Sequence, residues 1–149
     1  MFKTTIVLFS ILLVAFACNR EPDVEQILEA DKAFSNMSDQ IGLTDAFIYY
    51  ADSNVVMLRD GLPPIKGLES LRSAYSFDDD NMKLTWLPEM AEIAKSGDLG
   101  YSYGRYLMIA SDSSGINESE GFYVTIWKKQ DDGGWKFVLD TGTEGGVEE

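Results

Sequence analysis

Residues 121–140, GFYVTIWKKQDDGGWKFVLD, decide the fold because they predict a β-hairpin. The first arm alternates β-branched and aromatic residues from Phe122 to Trp127. The second arm does the same from Trp135 to Asp140, after a turn rich in Asp and Gly. A hairpin of this composition has two distinct faces, and its register determines which residues share each face.

We expect Lys129 to face Gly134 across a four-residue loop. One face is then dry and apolar: Phe122, Val124, Ile126, Trp135, Phe137 and Leu139. The other face is aromatic with a carboxylate: Tyr123, Thr125, Trp127, Lys136, Val138 and Asp140. A slip of one residue would mix the two sets, and burial of one face normally specifies the register. Tyr123 and Asp140 are therefore expected to face each other.

The N-terminal residues have the layout of an export signal. A short n-region with Lys3 precedes an apolar stretch, residues 6–17, that is much shorter than the roughly 20 residues a membrane-spanning helix needs. The segment AFAC, ending at Cys18, resembles the lipobox of bacterial lipoproteins. The resemblance implies cleavage before Cys18, acylation of that cysteine and a cell-envelope protein facing the periplasm or exterior. The alternative is ordinary signal-peptide cleavage after Ala17, at the same bond but without acylation, which leaves a secreted protein with a free N-terminal Cys.

Charge narrows the classes of partner. The chain of 149 residues has 12 basic and 25 acidic residues, and removal of residues 1–17 takes away Lys3, for a net charge of −14. This charge disfavours nucleic acid and anionic lipid headgroups as partners. We expect any membrane contact to be made by the lipid anchor alone.

Helical periodicity follows the predicted tether, residues 18–23. Asp23 can cap a helix whose apolar positions recur at helical spacing: Val24, Ile27, Leu28 and Phe34. Asp31 falls within that apolar face. Gly42 interrupts the pattern, and two shorter helices are predicted over residues 43–50 and 67–75.

Strands are predicted at residues 54–59, 84–94, 100–110, 122–129 and 135–140. Pro88 argues for an edge strand or a bulge, because it cannot donate to a ladder. Residues 111–120 are predicted to be a polar loop and residues 143–149 a flexible acidic tail. Helices followed by a meander of strands predict one α+β domain over residues 24–142. Its N-terminal helices would pack on a curved, mainly antiparallel sheet.

Several segments in chain order resemble the SnoaL-like/DUF4440 branch of the NTF2-like superfamily. They are Ala30-Asp31…Ala33-Phe34, Ala46-Phe47…Tyr50-Ala51, Pro64-Ile65-Lys66-Gly67, Trp86-Leu87-Pro88, Ser96-Gly97-Asp98-Leu99-Gly100-Tyr101, Gly104, Gly121-Phe122-Tyr123…Trp127-Lys128 and Gly133-Gly134-Trp135-Lys136…Asp140. The closing hairpin is the most specific of them.

The resemblance implies a cone-shaped fold, a pocket opening at one end and, in many members, dimers packed sheet against sheet. The superfamily includes isomerases, dehydratases, polyketide cyclases and non-catalytic ligand-binding or association domains, so the fold leaves the function open. In ketosteroid isomerases a catalytic Asp follows a segment resembling Tyr50-Ala51-Asp52. The matching position here falls at about Leu58, which cannot move a proton.

The chain has no histidine, which excludes Ser-His-Asp and Cys-His catalysis. Proton transfer then depends on carboxylates, tyrosines or lysines. Asp31 is the first catalytic candidate, because a carboxyl group on an apolar face has a raised pKa. The alternative is that it accepts hydrogen bonds from a buried Tyr or Trp. Tyr123 and Asp140 can bind a polar ligand atom together, or satisfy each other.

Aromatic side chains can wall a small-ligand pocket, or they can be ordinary core. We predict a binding site that combines both kinds of candidate: Asp31, Phe34, Trp86, Tyr101, Tyr103, Tyr123, Trp127 and Asp140. Arg105 shares strand parity with Tyr101 and Tyr103, so it points either inward toward a ligand carboxylate or outward into solvent.

No metal or cofactor site is predicted. The acidic run Asp78-Asp79-Asp80 lacks the glycine that a calcium-binding EF-hand loop needs, since Lys83 stands at that position. We interpret the run as a solvated loop.

These observations predict a lipid-anchored domain that binds a small, mostly apolar molecule in a cup without catalysis, and that forms a homodimer through the sheet. One alternative is an isomerase or dehydratase that uses Asp31, Asp140 and Tyr123 without a metal. The other is a structural dimerisation module that works through the predicted dry face.

Overall fold

The computed structural model describes residues 22–77 and 79–146. The predicted signal peptide, the lipidation site Cys18 and most of the tether lie outside the described residues. So do Asp78 and the last three residues of the predicted tail.

The three predicted helices are present: α1 (Glu25–Ile41), α2 (Leu43–Tyr50) and α3 (Leu68–Ala74). The Asp23 carboxylate accepts the backbone N–H of Glu25 at 3.1 Å, but the N-cap position of α1 is occupied by Val24, so Asp23 lies one residue before the position predicted for it. Gly42 ends α1 with a positive φ of 101°, a backbone conformation that favours glycine. The carboxylate of Asp79 then accepts the N–H of Thr44 at 2.8 Å and so caps α2.

Six strands form one curved sheet in the order β2-β1-β6-β5-β4-β3. Their bounds are β1 (Ala51–Leu58), β2 (Ile65–Lys66), β3 (Met82–Ile93), β4 (Leu99–Asp112), β5 (Gly115–Lys129) and β6 (Trp135–Glu144). Strands β1 and β6 pair in parallel, and the other neighbours pair antiparallel. The predicted α+β arrangement of N-terminal helices on a mainly antiparallel sheet is confirmed.

Helix α1 lies against the sheet through Ile27 and Phe34, both fully buried. It approaches β4 so closely that a Cβ on Gly100 would stand 2.2 Å from the Ile27 side chain. The same helix covers the free edge of β3. Ser35 accepts the N–H of Trp86 at 2.9 Å and donates to its carbonyl oxygen at 2.7 Å, while Ser38 donates to the carbonyl oxygen of Leu84 at 2.8 Å. At Leu84 and Trp86, two serines thus satisfy backbone groups that the edge strand would otherwise leave open to further pairing.

The hairpin register differs from the prediction. Lys129 faces Trp135, and a bulge leaves Val138 without a partner, so that Thr125 faces Asp140. A bulge moves the residues beyond it to the opposite face, which puts Phe137 and Asp140 on the same buried side.

The predicted dry face was therefore wrong. The buried face combines four aromatic and two polar side chains from the two arms: Tyr123, Trp127, Trp135, Phe137, Thr125 and Asp140. Phe122 and Val124 lie on the outer face, each 39% exposed. Tyr123 faces Gly142 rather than Asp140, although Tyr123 and Asp140 share the inner face.

Two other predictions needed correction. Residues 111–120 are not a loop, because β4 and β5 continue as a ribbon to a tight turn between Asp112 and Gly115. Strand β6 continues to Glu144, so the first two residues of the predicted tail, 143 and 144, are paired with β5.

Pro88 lies on the edge strand β3, where the register shifts between Pro88 and Met90, so both expectations for it are confirmed.

Within the described residues, no helix is both long enough and apolar enough to cross a lipid bilayer.

Candidate functional site

A cavity of about 390 Å³ opens between the helices and the inner face of the sheet. Its size is that of small-molecule sites in proteins. The lining is mostly apolar and aromatic: Phe34, Leu43, Phe47, Arg59, Leu62, Ile65, Ala74, Tyr75, Phe77, Met82, Leu84, Trp86, Tyr106, Met108, Ser119, Tyr123, Thr125, Asp140, Thr141 and Gly142. Leu62 and Phe77 are exposed, so apolar side chains extend from the cavity to solvent.

Phe34 anchors the aromatic wall. Its ring stacks on Phe137 with centroids 5.4 Å apart, and it meets Trp86 and Phe47 edge to face at 4.5 and 4.8 Å. Edge-to-face and stacked ring pairs add to the stability that burial alone provides. The wall is therefore held in place by contacts among its own rings.

A polar corner interrupts this wall where β1 ends beside β6. The guanidinium of Arg59 donates to Asp140 Oδ1 at 3.1 Å and to the Tyr75 hydroxyl at 3.1 Å. The Thr125 hydroxyl donates to Asp140 Oδ2 at 2.7 Å. All four side chains line the cavity, and together they define what we call the polar corner: Arg59, Tyr75, Thr125 and Asp140.

The charges of the polar corner stabilise each other. Burial lowers the pKa of Arg59, but the attraction of Asp140 and the contact with Tyr75 outweigh it and leave the pKa raised. Burial also raises the pKa of Tyr75, whose hydroxyl therefore stays protonated and donates to Met57 Sδ at 3.0 Å. Arg59 is thus a permanent cation at the cavity wall, paired with a carboxylate.

Asp31 lies behind the cavity wall and is fully buried on α1. Trp86 Nε1 donates to one carboxylate oxygen at 2.6 Å, and the Tyr123 hydroxyl donates to the other at 2.8 Å. Burial raises the pKa of Asp31, although hydrogen bonds from Ser102, Trp86 and Tyr123 act in the opposite direction. The sequence left two interpretations of Asp31, a catalytic acid and a buried acceptor of hydrogen bonds. The structure contains the contacts of the buried acceptor, with one hydrogen bond from a Tyr and one from a Trp.

Tyr123 connects Asp31 to the cavity. It lines the cavity, and its hydroxyl proton is committed to Asp31. Burial raises its pKa, as does the nearby Asp31 carboxylate, so the phenol stays protonated. A ligand reaching this hydroxyl meets an acceptor lone pair rather than a free proton.

Only some of the predicted binding residues line the cavity. Phe34, Trp86, Tyr123 and Asp140 line the cavity. Trp127 is fully buried beneath it and donates to the Ser102 hydroxyl at 2.8 Å.

Tyr101 and Tyr103 do not line the cavity. Buried positions alternate along β4 at Gly100, Ser102 and Gly104, so the two tyrosines lie on the outer face of the sheet. Arg105 shares that face, where it pairs with Glu89 at 2.8 Å. Of the two orientations considered for Arg105, the structure has the outward one.

Arg59 and Tyr75 are the important side chains that the sequence reasoning missed. A signal for Arg59 was present in the sequence, because Val55, Met57 and Arg59 are alternate residues of the predicted strand over residues 54–59, and the structure buries the first two. An Arg at the third inward position of a strand indicates a partner carboxylate inside the fold. Tyr75 has no comparable signal, since the end of a short helix does not predict which residue reaches the cavity.

Within the two described ranges, no group of three or more acidic or Cys side chains is placed to hold a metal ion. The acidic loop after α3 was predicted to be solvated, and its residue Asp79 instead caps α2.

The fold is shared with several solved structures. A ketosteroid isomerase-like protein from Erwinia carotovora atroseptica matches with a TM-score of 0.67 at 12% identity, covering 81% of this chain and 95% of that one. An NTF2-like protein with a cystatin-like fold from Novosphingobium aromaticivorans matches with a TM-score of 0.64 at 14% identity, covering 79% of each chain. The CaMKII hub of S. rosetta matches with a TM-score of 0.64 at 20% identity, covering 82% of this chain and 96% of that one.

No family model matches the sequence, and no curated protein matches it either. The structural likenesses confirm the NTF2-like α+β cone. At these identities they show the fold alone.

Proposed function

We propose that this domain binds a small, mostly apolar molecule in the cavity and does so without catalysis. One observation carries the proposal, namely an open, preformed cavity of about 390 Å³ with aromatic walls and one polar corner. Such a combination is typical of small-ligand sites, where the walls supply affinity and a few polar groups fix orientation. The residues of the closing hairpin support assignment to the SnoaL-like/DUF4440 branch.

Native mass spectrometry of protein purified from its own cells tests this proposal. We expect a population with excess mass that gentle collisional activation releases as a small organic molecule. The ligand-free mass alone, in preparations made at several ionic strengths, would contradict a constitutively bound ligand.

The same proposal includes an anchor at the N-terminus. The lipobox-like segment supports cleavage before Cys18 and acylation there, which would hold the domain on a bacterial envelope membrane. We expect the mature protein to partition into detergent and to lose this behaviour in Cys18→Ser. A mature wild-type mass that begins at Cys18 without acyl chains would contradict the anchor.

We also propose a homodimer through the outer face of the sheet. Tyr103 and Val124 face each other there, and so do Arg105 and Phe122. The exposed apolar side chains on neighbouring strands of this face include Leu87, Leu107, Phe122 and Val124. An exposed apolar sheet face of this kind is typical of an interface. Phe137, which we predicted as part of such a surface, is fully buried on the other side.

The alternative function, an isomerase or dehydratase, is favoured by the presence of Tyr123 and Asp140 in the cavity lining. Asp31 does not line the cavity, so it would act only through Tyr123. Deuterium exchange at the α-carbon of 2-tetralone, followed by NMR, tests this chemistry. Exchange that is faster than in buffer and is lost in Asp140→Asn would favour the enzyme over the binding protein.

A further inference from the structure

The charges of the polar corner restrict the polar end of a ligand more than the apolar walls of the cavity do. Among the described residues that line the cavity, only Arg59 and Asp140 carry a charge. They pair at 3.1 Å, so the corner has a strong local dipole and almost no net charge. A ligand that enters the cavity meets both charges at once.

Both members of the pair keep hydrogen-bonding capacity. A guanidinium has five N–H donors, and Arg59 uses three of them, on the carbonyl oxygen of Leu58, on Asp140 and on Tyr75. A carboxylate has about four lone-pair positions, and the described partners of Asp140 are Arg59 and Thr125. The corner therefore offers an N–H donor next to an oxygen acceptor.

Charged ligand ends are disfavoured at such a corner. An anion that bonds to Arg59 is brought next to the Asp140 carboxylate, and a cation that bonds to Asp140 is brought next to the guanidinium. In a cavity with apolar walls these like-charge contacts are poorly screened. An uncharged end with its own donor beside its own acceptor satisfies both groups without any like-charge contact.

We propose that the cavity selects ligands whose polar end is uncharged and carries a hydrogen-bond donor beside an acceptor, such as a carboxamide or a lactam, with Arg59 and Asp140 as the specificity-determining residues. The proposal rests on the proposed binding function. The apolar body of the ligand lies against Phe34 and Trp86, its acceptor takes an N–H of Arg59, and its donor gives a hydrogen bond to Asp140.

Three probes of equal aromatic body separate the possibilities at pH 7: 2-naphthamide, 2-naphthoate and 2-naphthylmethylamine. Their affinities are measured by isothermal titration calorimetry. We expect the uncharged amide to bind about tenfold tighter than either charged probe, which corresponds to one unfavourable charge contact. Tightest binding of the naphthoate or of the amine to the wild-type protein would overturn the proposal.

Charge variants then shift the ranking in opposite directions. Asp140→Asn leaves the Arg59 cation unpaired, so the naphthoate should gain affinity relative to the amide. Arg59→Gln leaves the Asp140 carboxylate unpaired, so the amine should gain. The double variant is neutral again and should restore preference for the amide. A ranking that stays unchanged in all folded variants would show that the pair does not set specificity, and this too would overturn the proposal.

Arg105→Gln is the matched control, because Arg105 forms an ion pair with Glu89 on the outer face. It should leave the ranking unchanged. Failure of all three probes to bind the wild-type protein counts against the cavity as a binding site and so against the proposed function itself. A clear preference for a charged probe leaves the binding function intact and removes only the specificity.

Discussion

Tyr123 on β5 donates a 2.8 Å hydrogen bond to Asp31 on α1, which joins the cavity wall to a carboxylate buried behind it. Trp86 on β3 reaches the other oxygen of the same carboxylate at 2.6 Å. The Asp31 carboxylate therefore connects helix α1 to strands β3 and β5 through two hydrogen bonds. In this arrangement Asp31 first serves to hold the wall of the cavity in place.

Removal of that acid should destabilise the fold. Asp31→Ala leaves the indole N–H of Trp86 and the Tyr123 hydroxyl without acceptors, at a cost of about 3 kcal/mol or more in the free energy of unfolding. Asp31→Asn should cost less, because its amide can accept from Trp86 and donate to the Tyr123 oxygen. Urea denaturation measures both variants. An Asn variant as unstable as the Ala variant would contradict this account of the contacts.

The raised pKa of Asp31 gives stability a direction with pH. The folded state holds the proton more tightly than the unfolded state, so Asp31 favours folding most at low pH. This contribution is lost as the pH rises from the ordinary pKa of 3.8 through the raised pKa of the folded state. The difference in unfolding free energy between wild type and Asp31→Asn should therefore shift against the wild type over that window. Opposite movement of the difference would mean that the folded pKa is lowered.

The serines of α1 should contribute unequally. Ser35→Ala loses two hydrogen bonds to the backbone of Trp86 and should cost about 2 kcal/mol, whereas Ser38→Ala loses one bond and should cost about half as much. Ser73→Ala serves as the control, because Ser73 is exposed and its hydroxyl donates only to a backbone carbonyl oxygen, that of Glu69, in its own helix. Thermal unfolding of the three variants gives the ranking. Equal effects at positions 35 and 73 would show that the edge of β3 needs no cover.

Sequence reasoning succeeded where burial produces a clear period. The apolar stripe of α1 with Asp31 inside it, the break at Gly42 and the edge position of Pro88 each depend on a few local residues. It failed where two patterns were equally apolar. The alternating residues that begin at Phe122 are at least as apolar as those that begin at Tyr123, so both sets were compatible with a core face. The bulge at Val138 decides between them, and no residue type in the sequence predicts it.

The polar ribbon of β4 and β5 was missed for a different reason. The four residues from Gly115 to Glu118 are all exposed, so neither face of the ribbon is buried there. Alternation of apolar and polar residues therefore carries no information in this segment. A strand pair that extends beyond the core in this way can be recognised only from its pairing partner.

The outer face of the sheet should carry the self-association. Val124→Glu puts a charge among the exposed apolar side chains of the outer face and should convert a dimer to a monomer while leaving the cavity intact. Lys32→Gln changes the net charge by the same amount on the exposed side of α1 and should leave the dimer unchanged. Analytical ultracentrifugation decides the outcome. A wild-type protein that is monomeric at high micromolar concentration would end the dimer proposal.

Binding of a neutral apolar dye is the measurement that tests the central claim most directly. N-phenyl-1-naphthylamine is titrated into the wild-type protein and into two variants of neighbouring residues on β4. Met108→Trp fills the cavity that Met108 lines, whereas Leu107→Trp adds the same ring on the outer face. We predict saturable binding with one dye per chain in the wild type and in Leu107→Trp, and a loss of about tenfold or more in affinity in Met108→Trp. Equal binding to both variants would place the dye outside the cavity and contradict the account.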